Sequence, residues 1–348
     1  MTWLLYGANG YTGTLVARLA VTRGERPVLA GRSAGKIAAL AGELGLEHRV
    51  FGLADPDAIR RGLDGMAAVA HCAGPFAATA GPMARACLNA GVSYLDVTGE
   101  IDVFEELHGL QDRARAAGCV LLPGAGFDVV PTDCLAALLA QALPGATRLD
   151  LAFLAGGGPS PGTARTTVQG MLAGGRARIG GEIKPVPLGW RTIRAPFPGG
   201  ARTVTSVPWG DISTAWYSTG IGDITTYTAV PAAALRAEQV LGLRRLLRLG
   251  PALRLAEAAA ARLAGPGEQR RAGSKAEAWG RASGGGRTVE ATLAMPNPYD
   301  LTADSVLRAV TRLGSVPPGV HTPATAFGPR FVTELDGVTL TGPDEGAG

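Results

Sequence analysis

The chain has 348 residues, 46% of them hydrophobic and 18% charged, with a net charge of +4. That composition suits a folded protein of about two domains and excludes a disordered chain, while so small a net charge gives no reason to expect nucleic acid. No apolar run reaches the roughly 18 residues of a membrane span, a strand stands where a secretory leader would carry its charges, and Cys72, Cys87, Cys119 and Cys134 form no CxxC pair, which suits reduced thiols in a cytoplasmic protein.

Short apolar runs predict strands at TWLLYG (2–7), RPVLAG (26–31), HRVFGL (48–53), AAVAHCA (67–73), VSYLDV (92–97) and CVLLPG (119–124). Helical stretches lie between them, near 12–23, 34–45, 56–64, 79–90 and 102–117. In the last, Val103, Leu107, Leu110, Ala114 and Ala117 recur at helical spacing. Asp102 and Glu105 read there as a capping box and Gly118 as a stop. Alternation of this kind predicts an α/β domain over 1–130, built on a doubly wound parallel sheet.

Beyond Gly124 the pattern changes. A helix is expected over 131–143 and a strand over 147–155. The stretch 183–230, rich in Val, Thr, Trp, Tyr, Pro and Gly, reads as antiparallel strands with turns. An Ala/Leu/Arg helical stretch over 231–264 breaks near Gly250-Pro251. There follow a polar linker (265–274), a hairpin over 275–295 turning at Gly284-Gly285-Gly286, a short helix (302–313) and a frayed tail after Thr339. These elements predict a second, α+β domain with a mainly antiparallel sheet.

Directly behind the first strand comes Gly7-Ala8-Asn9-Gly10-Tyr11-Thr12-Gly13. A strand, three spaced glycines and a helix are what a dinucleotide site requires: a tight turn at Gly7, close approach of backbone to diphosphate at Gly10, and close packing of helix on strand at Gly13. The free amides and dipole of the helix then face the phosphates. The second strand ends Gly31-Arg32-Ser33, where an NAD site commonly carries an acid for the ribose hydroxyl. Arg32 and Ser33, with Lys36 one turn on, suit a 2′-phosphate, so NADPH is expected over NADH. Asp55 either approaches the adenine amine or caps a helix. Cys72, Ala73, Gly74 and Pro75 follow the fourth strand and are placed along the nicotinamide ribose.

Hydride transfer also needs a proton, and Tyr94, Glu100, Asp128, Asp133 and His321 are its possible donors. Glu100 follows the fifth strand, either as an acid or substrate-amine ligand with a raised pKa or as a charge at a helix N-terminus. Asp128 and Asp133 flank a Pro131 helix start and read equally as caps; Tyr94 reads also as packing. None of the six tyrosines has lysine four residues later, which argues against the Tyr-x-x-x-Lys mechanism. No HExxH or paired cysteine spacing marks a metal, and His71 beside Cys72 reads as packing.

YGANGYTG (6–13), AGRS (30–33), CAGPF (72–76), YLDVTGE (94–100) and LLPGAGFDVVPTD (121–133) together resemble the saccharopine dehydrogenase-like oxidoreductases, with weaker matches at GGGPSPGTA (156–164) and GVHTPATAFG (319–328). The resemblance implies an NADP-binding Rossmann domain over 1–130 and a substrate and oligomerisation domain over 131–318. It implies that 319–348 packs back on the first domain, placing His321 and Thr322 near an interdomain cleft. The family includes trans-acting enoyl reductases and imine-forming dehydrogenases, so the expected reaction reduces a C=C or C=N bond of a small or carrier-protein-bound metabolite. Trp190, Trp209, Trp216 and Tyr217 lean towards an apolar acyl channel.

Arg236, Arg244, Arg245, Arg248, Arg254 and Arg262 line the 231–264 stretch as a solvated helix face, a docking face for an acidic carrier protein, or a peripheral membrane contact. A homodimer is the expected assembly. The rival to an enzyme is a non-catalytic protein that senses NADP(H).

Overall fold

The computed structural model describes residues 1–158, 160, 174–230 and 265–345. It divides into two units, Met1–Val130 with Tyr299–Asp336, and Pro131–Pro298 with Gly337–Gly348.

The first unit alternates β1 (Trp3–Tyr6), α1 (Tyr11–Thr22), β2 (Val28–Gly31), α2 (Ala34–Leu44), β3 (His48–Val50), α3 (Pro56–Leu63), β4 (Ala68–His71), α4 (Phe76–Ala90) and β5 (Ser93–Asp96). Then come α5 (Ile101–His108), α6 (Gln111–Ala116) and β6 (Val120–Leu122). The sheet runs β6-β5-β4-β1-β2-β3, every pairing parallel, with the short strand Gly319–Val320 added beside β6. β1, β2 and β4 are buried at every position. That is why they read as unbroken apolar runs instead of alternating ones. Strand order reverses between β1 and β4, so the crevice for a ligand lies beyond the carboxyl ends of those strands.

One expected helix, 102–117, is two. The Leu110 amide bonds to Leu107, three residues back, and tightens the chain at Gly109 before α6 begins. Glycine there contributes no side chain to hold a continuous helix, and local closure wins. The start lies at Glu100, and no Asp102–Glu105 capping box forms. Gly118, at φ +67, does end the segment.

The helix Pro298–Arg312 begins earlier than its expected 302 and lies in the first unit. Arg23 at the end of α1 pairs with both Asp304 and Asp336, and Arg308 pairs with the same two carboxylates. Asp304 is 4% exposed and is held between the two arginines, while Asp336 lies at the surface. The expected boundary at 318/319 is therefore corrected: residues 299–336 belong with the first unit and 337 onward with the second.

In the second unit α7 (Val130–Ala142) leads into β7 (Arg148–Ala155), β8 (Gly175–Ile179), β9 (Glu182–Val186), β10 (Thr192–Phe197), β11 (Gly200–Ser206), β12 (Asp223–Thr228), β13 (Ala276–Gly284) and β14 (Arg287–Met295). The main path is β10-β11-β12-β7-β13-β14, with β8 joining β12 to β9. All pairs are antiparallel except β12 with β7. β13 and β14 form the expected hairpin, with Gly285 at φ +58 and Gly286 at φ +75 supplying its two left-handed positions. A Cβ at Gly280 would lie 2.7 Å from Leu139, so glycine lets α7 lie close on the sheet. On the sheet, Trp279, Tyr227, Phe197, Val204, Ala152 and Ala195 form one buried cluster.

Three expectations fail here. Residues 339–345 do not fray but pair with β14, Leu340 opposite Leu293. A helix, Asp211–Thr219, interrupts the predicted strands, buries Ile212 and Ala215, and stops at Gly220. The polar linker contains a short helix, Glu268–Ala272. The six arginines of 231–264 lie outside the described residues, as does most of 156–164. All four cysteines are free thiols.

Candidate functional site

The glycine turn is built from main chain. Gly7 takes φ +79, and its amide donates to Ala30 O on β2 at 2.8 Å. A Cβ on Gly7 would lie 2.8 Å from the Ala73 side chain and 2.9 Å from its amide nitrogen. On Gly13 it would lie 2.8 Å from Ala8 Cα. Gly10 precedes α1 as its N-cap with no side-chain bond, and no acid occupies the first turn. The helix thus offers bare amides and an unneutralised dipole beside an exposed Asn9 and Gly10, with Tyr11 and Thr12 half-buried. Close backbone packing that glycine permits, leading into a helix start with no side-chain cap, fits a diphosphate. Asn9 Oδ1 lies over Gly31, where a Cβ would come within 3.0 Å, and this ties the turn to the end of β2. The Tyr11 ring stands edge-on to Tyr299 at 4.8 Å, a partner no local pattern announces.

Arg32, Ser33 and Lys36 are all exposed at the start of α2. Ser33 is the N-cap, yet its hydroxyl makes no capping bond. Neither Arg32 nor Lys36 has a carboxylate partner among the described residues. Burial pushes the Tyr6 hydroxyl pKa up, and the Arg32 charge opposes that rise. Asp55 is not at a strand end, because β3 stops at Val50. It caps α3 by accepting from the Asp57 amide at 2.9 Å and stands 3.8 Å from Arg61.

After β4 the half-buried Cys72 donates its amide to Tyr6 O, while burial and the Asp96 charge push its thiol up to about 12. Ala73 lies against the glycine turn, Gly74 is exposed, and Pro75 is the N-cap of α4. Pro75 has no side-chain oxygen to cap with; Glu100 does that work from the next loop. Its carboxylate accepts from the Phe76 amide at 3.1 Å and the Ala77 amide at 2.9 Å. Burial raises its pKa, opposed by those two amides. The charge read as serving Glu100's own helix sits on a different one, 23 residues earlier.

Tyr94 is fully buried, its hydroxyl donating to Asp96 Oδ2 at 2.7 Å. Burial, then Asp96, raises it well above the ordinary tyrosine value. Asp96, absent from the candidate donors above, is also fully buried, and burial lifts it to about 6 against three opposing hydrogen bonds. Asp128, in the loop after β6, is lifted by burial to about 7. Its Oδ2 lies 3.0 Å from where a Cβ of Gly99 would stand, which brings the Asp128 and Glu100 loops together. Asp133 lies in the second unit, fully buried, and accepts from Ser218. His321 follows the strand beside β6, bonded to Pro317 O at 2.9 Å, and burial lowers its pKa.

His71 is packed, as read from the sequence. It lies against Tyr6, Phe76 and Tyr94, and burial lowers it to about 3. Thr79 donates its hydroxyl to Ala73 O, so it accepts from His71 Nε2–H. The four aromatics of 183–230 do not gather. Trp190 takes Arg191 on its face, Trp209 lies tilted against Phe153, Trp216 takes Arg178, and Tyr217 is exposed.

Residues 3–122 match the family model described as the saccharopine dehydrogenase NADP binding domain. Among curated relatives, a probable mitochondrial saccharopine dehydrogenase-like oxidoreductase of Arabidopsis thaliana is 29% identical over 147 residues, 37% of this chain and 32% of that protein. A putative trans-acting enoyl reductase of Mycobacterium tuberculosis is 33% identical over 144 residues, 37% of this chain and 33% of that protein. The match thus spans about a third of each relative. Among solved structures, apo saccharopine dehydrogenase (L-Glu forming) from Saccharomyces cerevisiae aligns over 98% of this chain and 100% of its own, with TM-score 0.63 and 12% identity. Homospermidine synthase from Legionella pneumophila, solved with NAD, aligns over 98% and 91%, with TM-score 0.64 and 12% identity. The two structures share the fold with this chain. The resemblance read from the sequence to the saccharopine dehydrogenase-like family is borne out in the first domain.

Proposed function

We propose that the chain is an NADP(H)-dependent oxidoreductase that reduces a C=C or C=N bond of a metabolite, free or carrier-bound. The observation that carries this is the pairing of two features: a start of α1 with no side-chain cap and no acid in its first turn, and Arg32 and Lys36 with no carboxylate partner among the described residues. The amides at the start of α1 would hold the diphosphate, and Arg32, Ser33 and Lys36 the 2′-phosphate. Ala73, Gly74 and Pro75 would run along the nicotinamide ribose. When bound, the cofactor supplies a hydride; the chain's own residues orient the acceptor and manage the proton.

Asp128 is the proton donor of this reading. At about 7 its carboxyl is poised near neutral pH, and its Oδ2 lies against Gly99 in the loop that carries Glu100. Relatives named as trans-acting enoyl reductases favour the C=C alternative. NADPH oxidation on a panel of enoyl thioesters and cyclic imines tests the proposal. Turnover lost in Asp128→Asn is the result expected. Cofactor binding with no turnover on any member would replace the enzyme with the NADP(H)-sensing alternative.

A further inference from the structure

Asp96 lies at the last position of β5, fully buried, with donors converging on it from three directions. Oδ1 accepts from the Thr98 amide at 2.9 Å and from the Gly124 amide at 2.9 Å. Oδ2 accepts from the Tyr94 hydroxyl at 2.7 Å, and the Asp96 carbonyl accepts from the Ala125 amide at 2.7 Å. The ladder between β5 and β6 ends at Leu95 opposite Leu122, so the bonds from Thr98, Gly124 and Ala125 lie beyond that ladder. They belong to the loops.

The two loops joined in this way carry the acids. The Thr98 hydroxyl accepts from the Glu100 amide at 3.1 Å, so the turn that holds Glu100 hangs from Asp96. Gly124, at φ +77, opens the loop that reaches Asp128, and the Phe127 amide anchors that loop's far side on Thr302 at 3.0 Å. Gly99 leaves the space in which Asp128 lies against the first loop.

We propose that Asp96 is the positioning residue of the site: its carboxylate bolts the loop after β5 to the loop after β6 and so sets where Asp128 stands relative to Glu100. The inference rests on Asp128 being the proton donor of the reading above. Asp96 touches neither cofactor nor substrate and acts through the loops. A carboxylate suits the task because all three groups facing it are donors, and a buried donor left without an acceptor is costly.

The test uses the whole chain without substrate, following amide exchange and the Asp128 carboxyl titration by NMR. In the native protein the Thr98 and Gly124 amides both donate to Asp96 Oδ1, so both should be protected from exchange at least about 100-fold. Asp96→Asn keeps that oxygen and should keep both protections and an Asp128 midpoint near 7. Asp96→Ala should lose protection at both amides at least tenfold and lower the Asp128 midpoint by at least one pH unit, as water enters between the loops. If Asp96→Ala folds and leaves protection and midpoint unchanged, the proposal is overturned. If that variant does not fold, the native measurement decides: exchange at either amide as fast as in an unstructured chain overturns it. Turnover retained in Asp128→Asn would remove the donor assignment while leaving the bolt standing, so the two failures are distinguishable.

Discussion

Two regions at the carboxyl end of the parallel sheet are built on opposite principles. The loops after β1 and β2 present main chain: glycine hydrogens, amides and an uncapped helix start, beside an exposed Arg32 and Lys36. The end of β5 and the loop after it present side chains already engaged: Tyr94 with Asp96, Asp96 with the Gly124 amide after β6, and Glu100 with the amides that start α4. A site of the first kind is defined by what is left out, and one of the second kind by what is tied together. The first suits an anion that must approach backbone closely; the second suits a proton whose position matters to a few tenths of an ångström.

If the comparison is right, the two regions break differently. The largest effect belongs to the glycine turn. Gly7→Val forces a branched side chain into φ +79 and against Ala73, and we expect NADPH affinity to fall more than about 100-fold with a marked loss of thermal stability. Native-like affinity in that variant would contradict a backbone-built seat.

Next is the pH dependence set by Asp128. Its folded pKa, about 7, is raised above the unfolded value, so its contribution to stability is fully present below about pH 4 and is lost as pH rises through 7. Asp128→Asn removes that dependence. Relative to the native protein it should gain roughly 2–4 kcal/mol on going from pH 4 to pH 8, read from denaturant midpoints at both values. A flat difference would show that the carboxyl is not desolvated.

Glu100→Gln should cost about 1–2 kcal/mol, because a neutral amide accepts from only one of the α4 amides and leaves the helix dipole unopposed. Hydrogen exchange at Phe76 and Ala77 checks it. The smallest effect is at Asp55. Asp55→Ala should cost about 1 kcal/mol as a lost cap and leave NADPH affinity unchanged. A drop in affinity would return Asp55 to the adenine end.

The same contrast explains what the sequence makes legible. The turn at Gly7, Gly10 and Gly13 and the Gly285-Gly286 hairpin are local, so spacing and residue type suffice to place them. Glu100 and Asp96 act on amides 23 and 28 residues away, and no local pattern encodes such partners. Asp211–Thr219 carries Trp, Tyr and Thr, a strand-like composition, but burial of Ile212 and Ala215 overrides that preference. Strand 339–345 is stabilised by its ladder with β14, nearly 50 residues back in the chain, a pairing its own composition does not signal.

The central claim is that the Gly7–Gly13 turn seats the diphosphate of a nicotinamide cofactor and that Arg32 selects the phosphorylated form. Calorimetric titration of the native chain and of Arg32→Asp with NADPH and with NADH tests it most directly. The account predicts binding of both by the native chain, with NADPH at least about tenfold tighter, and loss of that preference in the variant. No heat with either nucleotide, or an unaltered preference in Arg32→Asp, would contradict it.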